Sequence, residues 1–205
     1  MRKPAPAIAV FCSGRGTNLQ AILDAVRRRR LRTRVALVVS DNAAAHALIR
    51  AQAAKVPTIF IDPRRFSSRE AFDRALARIV EASKVRLIVL AGFMRILSPW
   101  FVRRYAGRIL NIHPALLPAF PGSRAVRDAL RHGVKVTGVT VHFVDEKVDH
   151  GPILLQEFVP VRENDTEESL LKRIHRLEHR LYPQAIQQVL EGRVKVIGRK
   201  VHGKV

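Results

Sequence analysis

The chain has 205 residues, of which 47% are hydrophobic and 26% are charged. This is an ordinary globular composition, which excludes wholesale disorder, and the length suits one domain with its own core. A single cysteine, Cys12, excludes an intramolecular disulfide framework and a cysteine-rich zinc site. No apolar run approaches the ~20 residues of a membrane span, and the first one is too short for a secretion signal. We therefore expect a cytoplasmic protein with no membrane partner.

Charge is the unusual property of this chain. It carries 37 lysines and arginines against 17 aspartates and glutamates, a formal net charge of +20. Basicity of this size raises nucleic acid as a partner. The basic residues are spread along the sequence, however, and their densest run, 27–30, falls at the end of a predicted helix, where cations suit the helix dipole. Without a basic patch or an aromatic platform, nucleic acid is the less favoured partner, and attraction of small anionic substrates is the alternative.

In the first half of the chain, apolar runs alternate with segments of helical periodicity. Strands are predicted at 7–11, 35–39, 57–61 and 86–91, and helices at 17–30, 43–54 and 68–83. Because the strands are continuously apolar, they indicate a mostly parallel sheet covered by helices on both faces. The predicted class is a Rossmann-like, doubly wound α/β fold, in which ligands bind beyond the carboxyl ends of the strands.

The second half of the chain has a different pattern. Strands are predicted at 109–112, 139–144 and 153–161, and the middle one alternates between two chemically different faces. Asp165, followed three residues later by Glu168, predicts the start of a last long helix. With no repeat, low-complexity tract or linker, the sequence predicts a single domain over residues 1–205 that ends in an antiparallel portion.

A glycine-containing turn follows the first strand and opens the first helix, in the segment Cys12–Leu19. Glycines let the backbone turn tightly, and a helix N-terminus offers free N–H groups to an anion. The pattern matches neither a dinucleotide-binding fingerprint nor a Walker loop. It therefore predicts either a phosphate site or a structural βα turn.

Asn111 and His113 lie two residues apart at the end of a predicted strand, so both side chains can point the same way. An amide donor beside an imidazole suits a developing oxyanion, and histidine can also move a proton near neutral pH. A packed core histidine is the alternative. If Asp149 from a later acidic loop folds back beside His113, it would raise the pKa of the imidazole.

Glu178 falls on the apolar stripe of the last helix. A buried carboxylate must be paired, either with a ligand amine or hydroxyl or with a structural arginine. His46, His132, His175, His179 and His202 are interpreted as surface or core residues, and no metal is expected.

These segments together resemble the folate-dependent formyltransferases, and among them the phosphoribosylglycinamide formyltransferase family. The resemblance runs in order through 13–20, 66–70, 90–98, 111–118, 140–144, 148–153 and 178–179. Asn-x-His-Pro with the later Asp-x-Gly is common to folate formyltransferase domains, whereas the first loop and Glu178 are similar to this family in particular. The resemblance implies transfer of a formyl group from 10-formyltetrahydrofolate to the amine of glycinamide ribonucleotide, in purine (IMP) biosynthesis.

The resemblance also implies residue roles. Asn111, His113 and Asp149 would be catalytic, with a tetrahedral intermediate held by Asn111 and His113. The ribonucleotide would contact Gly16, Thr17, Asn18, His142 and Glu178. The folate would contact Arg69, Met94, Arg95, Ile96, Leu97 and Asn111. Residues 1–95 would form the ribonucleotide phosphate-binding half and residues 96–205 the folate-binding and catalytic half of a monomer or homodimer.

The chain departs from the family pattern at two places. Ser123 and Arg124 stand where the family has a small or apolar residue followed by histidine, and His150 stands where it has a small residue. We expect the first change to affect the folate-side loop and the second to affect the charge around Asp149. Methionyl-tRNA formyltransferase and formyltetrahydrofolate hydrolase are the rival activities, and each normally has an additional domain. A basic nucleic-acid-binding module is the rival from another class.

Overall fold

The computed structural model describes residues 5–203, in which nine strands form one sheet of order β3-β2-β1-β4-β5-β6-β7-β9-β8. The strands are β1 (Ala7–Phe11), β2 (Arg34–Ser40), β3 (Thr58–Phe60), β4 (Leu87–Leu90), β5 (Ile109–His113), β6 (Val136–Phe143), β7 (Ile153–Pro160), β8 (Val194–Ile197) and β9 (Lys200–Gly203). The helices are α1 (Thr17–Arg27), α2 (His46–Ala53), α3 (Arg69–Ala82), α4 (Pro99–Arg104), α5 (Ala125–His132) and α6 (Glu167–Leu190), with a 3₁₀ turn at Pro63–Arg65.

Strands β1 to β5 are mutually parallel, whereas β6 runs antiparallel to β5, and β7 antiparallel to β6. The last two strands form an antiparallel hairpin, of which β9 pairs with β7 in parallel. This arrangement confirms the predicted class of a mostly parallel α/β sheet with an antiparallel C-terminal portion.

The two faces of the sheet bury two separate clusters of apolar side chains. On β1, Ile8 and Val10 belong to the cluster that includes side chains of α1, α2 and α6, whereas Ala9 and Phe11 belong to the cluster that includes α3 and α4. All four side chains are fully buried. Fully burying a large apolar side chain stabilises a fold by about 1.5–3 kcal/mol, so a strand covered on both faces gains from every position along it. This explains the continuous apolar pattern.

Two predicted helices are shorter than their periodicity suggests. Helix α1 ends at Arg27 because Arg29 adopts a left-handed conformation (φ 58°) and the Arg30 N–H returns to the Ala25 carbonyl. Helix α2 begins at His46 because the Asn42 side chain accepts from the Ala44 N–H and holds the preceding residues in a turn.

Both faces of β6, the apolar one and the polar one, are buried from Thr137 onward. The last helix differs from the prediction in its cap. The start of α6 is capped by Thr166 and Ser169, which form a reciprocal capping box, and not by the predicted pair Asp165 and Glu168. Asp165 instead forms an ion pair with Arg173. The short helices α4 and α5 and the hairpin β8–β9 were not predicted.

In residues 5–203, no helix combines the length and apolar character that crossing a membrane requires.

The parallel strands bring two loops together at their carboxyl edge. The loop after β1 contains Ser13, whose N–H donates to the Gly92 carbonyl at 2.9 Å. The Ser13 hydroxyl accepts from the Met94 N–H at 2.8 Å. The loop that opens α1 is therefore tied to the loop after β4, beside the end of β5.

Candidate active site

A cavity of about 410 Å³ opens at this edge, between the loop after β4 and the loop that precedes β7. Its lining includes a group of four polar residues from three elements: Asn111, His113, His142 and Asp149. The strand geometry brings the first three together, because Asn111 and His113 alternate on β5 and Asn111 pairs with His142 across the β5–β6 ladder. The sheet thus presents an amide and two imidazoles to one cavity.

Asp149 reaches this cluster from its loop. Its Oδ2 atom lies 3.3 Å from His113 Nδ1 and accepts from the Gly122 N–H at 2.8 Å. Its Oδ1 atom accepts from Asn111 Nδ2 at 3.3 Å and lies 3.7 Å from His142 Nε2. Burial alone would raise the pKa of Asp149, but these neighbours outweigh it and hold the pKa below its usual value. Asp149 is therefore an anion at neutral pH.

His113 is buried between two acceptors. Its Nε2 atom donates to the Phe120 carbonyl at 2.8 Å, and its Nδ1 atom faces Asp149. Only the doubly protonated ring can donate to both. Burial nevertheless lowers the pKa of His113 overall, against the opposing effect of Asp149. Asp149 raises the pKa of His113, as expected. The net pKa is nevertheless lowered, against the expectation, because the effect of desolvating the imidazolium exceeds the effect of Asp149.

The hydrogen bonds of His142 require one ring proton, whereas those of His113 require two. Its Nδ1 atom lies 2.9 Å from the Phe143 carbonyl, which can only accept, so the hydrogen-bond network assigns a proton to Nδ1. Its Nε2 atom then accepts from Asn111 Nδ2 at 3.2 Å. The Asn111 amide thus donates to both His142 and Asp149, and it must turn one N–H away from this cluster to bind a substrate atom.

Backbone geometry fixes the Asp149 loop. Asp149 has a positive φ of 50°, and a Cβ atom at Gly151 would lie 1.9 Å from the Phe143 carbonyl oxygen. Only glycine allows this close approach, which explains the Asp-x-Gly spacing. His150 turns toward Asp145, with Nδ1 2.7 Å from its carboxylate, and the His150 carbonyl accepts from Arg199. Within residues 5–203, His150 therefore forms no hydrogen bond with Asp149 that would account for the expected effect.

The other departure lies at the edge of the cavity. Ser123 lines the cavity, and Arg124 immediately precedes α5, where it occupies the N-cap position without a side-chain cap. The change therefore falls on the cavity loop, as expected.

The predicted folate-side residues divide into two groups. Met94, Arg95, Ile96 and Leu97 line the cavity, and Met94 and Ile96 are strongly exposed apolar side chains. Arg69 is the first residue of α3, is exposed and does not line the cavity. The structure therefore brings together every predicted folate-side residue except Arg69.

The predicted ribonucleotide residues form a separate region at the start of α1. Gly16 has a φ of 70°, and a Cβ atom there would lie 2.7 Å from Ala47 Cα, so this turn requires glycine. Thr17 begins α1, and Asn18 Nδ2 donates to Glu178 Oε2 at 2.9 Å. Of the predicted ribonucleotide residues, only His142 lines the cavity beside Asn111 and His113.

Glu178 is 4% exposed, as its place on the apolar stripe predicted. Its partner is the Asn18 amide and not the arginine that was the structural alternative, and His175 Nε2 lies 4.0 Å away. Burial raises the pKa of Glu178 to about 7, against a smaller lowering by Asn18. The carboxylate is therefore poised between its two protonation states near neutral pH.

Three residues that shape the site were not among the predicted site residues: Ser13, Phe120 and Gly122. Ser13 ties the two loops together, while Phe120 and Gly122 contact His113 and Asp149 through backbone atoms. The prolines around Phe120 indicate a stiff loop, but no pattern identifies which of its backbone atoms face His113 or Asp149. In residues 5–203, no three His, Cys, Asp or Glu side chains are grouped as metal ligands.

Residues 7–186 match the formyl transferase family, so the chain belongs to that family. It is 45% identical over 189 residues to phosphoribosylglycinamide formyltransferase of Escherichia coli, a match that covers 92% of this chain and 89% of the relative. The crystal structure of glycinamide ribonucleotide transformylase 1 from Symbiobacterium toebii is 52% identical, with a TM-score of 0.96 over 98% of this chain and 95% of that one. The chain is also 48% identical over 92% of its length to the trifunctional purine biosynthetic protein adenosine-3 of Gallus gallus, of which it spans 19%.

Proposed function

We propose that this protein transfers the formyl group of 10-formyltetrahydrofolate to the amine of N1-(5-phospho-D-ribosyl)glycinamide, a step of de novo purine (IMP) biosynthesis. The observation that carries the proposal is the cluster of the buried His113 with the partly buried Asn111 and Asp149, at the wall of a cavity with exposed apolar side chains. The named activities of the similar proteins favour the same reaction. Both substrates are small molecules, and we place the reaction in the cytoplasm, in a monomer or homodimer.

The two substrates occupy the two regions at the sheet edge. The phosphate of the ribonucleotide binds the turn of Gly16, Thr17 and Asn18, where the N–H groups that open α1 have no partner within the helix. Glu178 and His142 contact the rest of the ribonucleotide. In this assignment, residues 1–95 supply the phosphate-binding half and residues 96–205 supply most of the folate-binding and catalytic half.

The folate lies in the cavity against the exposed apolar side chains of Met94 and Ile96, with Arg95, Leu97 and Asn111 beside it. The ring systems of the folate cover such side chains favourably, while its polar groups remain available for hydrogen bonds. Because Arg69 lies outside the cavity lining, its contact with folate would be to a part of the molecule that extends beyond the cavity.

The chemical step begins when the neutral amine attacks the formyl carbon. A new C–N bond forms, and the electron pair of the carbonyl moves to its oxygen. His113 and Asn111 stabilise this oxyanion as hydrogen-bond donors. The intermediate collapses when the bond between the formyl carbon and N10 of the folate breaks. The attacking amine loses one proton and N10 gains one, so the protons balance.

Asp149 keeps a proton on His113 Nδ1 and can pass protons through water between the amine and N10. His113 Nε2 is occupied by the Phe120 carbonyl in this structure. The formyl oxygen therefore replaces that carbonyl as the acceptor, which requires a small shift of the loop that contains Phe120.

The test measures loss of the formyl group from 10-formyltetrahydrofolate, with and without the ribonucleotide. Loss only with the ribonucleotide, and formylated ribonucleotide as the product, is the expected result. Equal loss without it would assign the hydrolase activity instead. No loss in either reaction, from folded protein, would overturn the proposal and favour a tRNA substrate or a binding role.

A further inference from the structure

A second and larger concavity lies on the outer side of α1 and α6. It has a volume of about 1020 Å³ and shares no lining residue with the catalytic cavity. Six arginines line it, and we name it the arginine groove after them: Arg28, Arg30, Arg50, Arg176, Arg180 and Arg193. The sequence indicated no basic patch, but the packing of α6 beside α1 gathers residues far apart in the chain.

The charge in the arginine groove is not balanced by the described residues around it. Asp24 is the single acidic residue among the lining residues, and it pairs with Arg27 at 3.0 Å. Arg180 pairs with Glu157, and Arg193 pairs with Glu191. Within residues 5–203, the side chains of Arg28, Arg30 and Arg176 have neither a hydrogen bond nor an ion pair.

Two buried polar atoms along the same groove also lack a partner among the described residues. They are Nε2 of His179 and Oε1 of Gln188, and the Gln188 residue is only 6% exposed. Buried polar atoms are nearly always hydrogen-bonded. Of the two, only the His179 nitrogen can donate to an anion, in the tautomer or charge state that carries its proton there, whereas the Gln188 oxygen accepts and requires a donor such as a hydroxyl group or water. Both residues lie on α6, on the groove wall.

The residues that line the arginine groove indicate which kind of ligand it suits. Planar guanidinium groups bind phosphate oxygens in pairs, and several of them around one concavity suit several phosphate groups. No Phe, Tyr or Trp side chain lines the groove, so it offers no surface on which nucleic-acid bases stack. Its volume is that of a small-ligand pocket.

We propose that the arginine groove binds a small ligand that carries two or more phosphate groups, at a site separate from the catalytic cavity. One end of the groove includes Thr17, the first residue of α1, so a ligand bound there lies next to the turn that contains Gly16. The ligand class is that of inorganic polyphosphates and other small molecules that are recognised through their phosphate groups.

Inorganic tripolyphosphate is the probe, and its binding is measured by titration calorimetry at fixed ionic strength. The groove variant replaces Arg28, Arg30 and Arg176 by glutamine, and the matched control replaces Arg78, Arg127 and Arg131, which are equally exposed and lie outside the groove. Both variants lose three positive charges. Thermal unfolding of both checks that the fold is intact, since none of the six side chains has an ion pair in residues 5–203.

We expect tripolyphosphate to bind at least tenfold more tightly than inorganic phosphate, and the groove variant to lose at least tenfold while the control changes less than twofold. Equal weakening of both variants would mean a general effect of net charge and would overturn the proposal. Undiminished binding to the groove variant would assign the probe to another site, such as the turn at Gly16, and would also overturn it. Binding of a short single-stranded RNA that only the groove variant loses, without binding of tripolyphosphate, would assign the groove to nucleic acid instead.

Discussion

Two carboxylates in this molecule, the partly buried Asp149 and the buried Glu178, have pKa values that are shifted in opposite directions. Asp149 is surrounded by the Gly122 N–H, the Asn111 amide and two imidazoles, and its pKa lies below the usual value. Glu178 has one hydrogen-bond donor, Asn18, and its pKa is raised to about 7. The balance between desolvation, which raises the pKa, and the surrounding donors and charges, which lower it, therefore decides whether a carboxylate is ionised at neutral pH.

The difference between the two carboxylates matches the two proposed roles. A permanent anion at Asp149 favours the protonated form of His113, which burial disfavours. A carboxylate that titrates near neutral pH, at Glu178, can instead accept a hydrogen bond or a proton from a substrate amine. The cluster around Asp149 thus carries a carboxylate that stays ionised, whereas the pair of Asn18 on α1 and Glu178 on α6 contains a carboxyl group that titrates near neutral pH.

The largest expected effect is on catalysis at the first of these regions. We expect His113→Ala and Asn111→Ala each to lower kcat by about 10²–10³-fold, because each removes one donor to the oxyanion. Steady-state kinetics of both variants, with circular dichroism to confirm folding, provides the measurement. Turnover near that of the wild type in folded His113→Ala would contradict the assignment.

The next effect concerns Glu178 and the pH dependence of the free energy of unfolding of the protein. The folded pKa of Glu178 lies above the ordinary value of 4.5, so its favourable contribution is complete below pH 4.5 and is lost as the pH rises through about 7. Glu178→Gln keeps an acceptor for Asn18 and removes this loss. We expect the variant to be more stable than the wild type by roughly 2–3 kcal/mol at pH 8, and about equal at pH 4.5. Urea unfolding at both pH values measures the difference, and an equal difference at both would refute the raised pKa.

A smaller effect is expected at the turn that opens α1. Gly16→Ala places a Cβ atom against Ala47 at a left-handed backbone position, whereas Gly14→Ala has no heavy atom within 4 Å of the added Cβ. We expect Gly16→Ala to reduce the free energy of unfolding by about 1–3 kcal/mol and to weaken ribonucleotide binding. Gly14→Ala is the matched control, and comparable losses in both variants would show that the backbone conformation at Gly16 is not the cause.

The smallest effect is expected at His150, the residue next to Asp149. Its hydrogen bond with Asp145 is partly exposed and contributes about 1 kcal/mol or less. We therefore expect His150→Ala to change kcat less than about twofold and to leave the pH profile of kcat in place, since an oxyanion donor is worth far more. A shifted profile would show that His150 influences Asp149 through the loop despite pointing away from it.

The sequence predicts those parts of the site that follow from the periodicity of one element. Two residues of a strand share a face, which places Asn111 beside His113, and the helical period places Glu178 on the buried side of α6. The mostly parallel sheet follows in the same way from continuously apolar strands.

Contacts between distant elements did not follow from the sequence. The position of Asp149 depends on a left-handed residue and a close approach at Gly151, and the partner of His113 is the backbone carbonyl of Phe120. The net pKa of His113 depends on how deeply the fold buries it. The arginine groove likewise exists only because α6 packs against α1.

The most direct test of this account is the titration of both carboxyl groups by carbon NMR, in protein with labelled aspartate and glutamate side chains, between pH 4.5 and pH 9. Asp149→Asn and Glu178→Gln assign the two signals. We expect Glu178 to titrate with a pKa of about 7 and Asp149 to stay ionised throughout. A Glu178 signal that is already ionised at pH 5, or an Asp149 signal that titrates within this range, would contradict it.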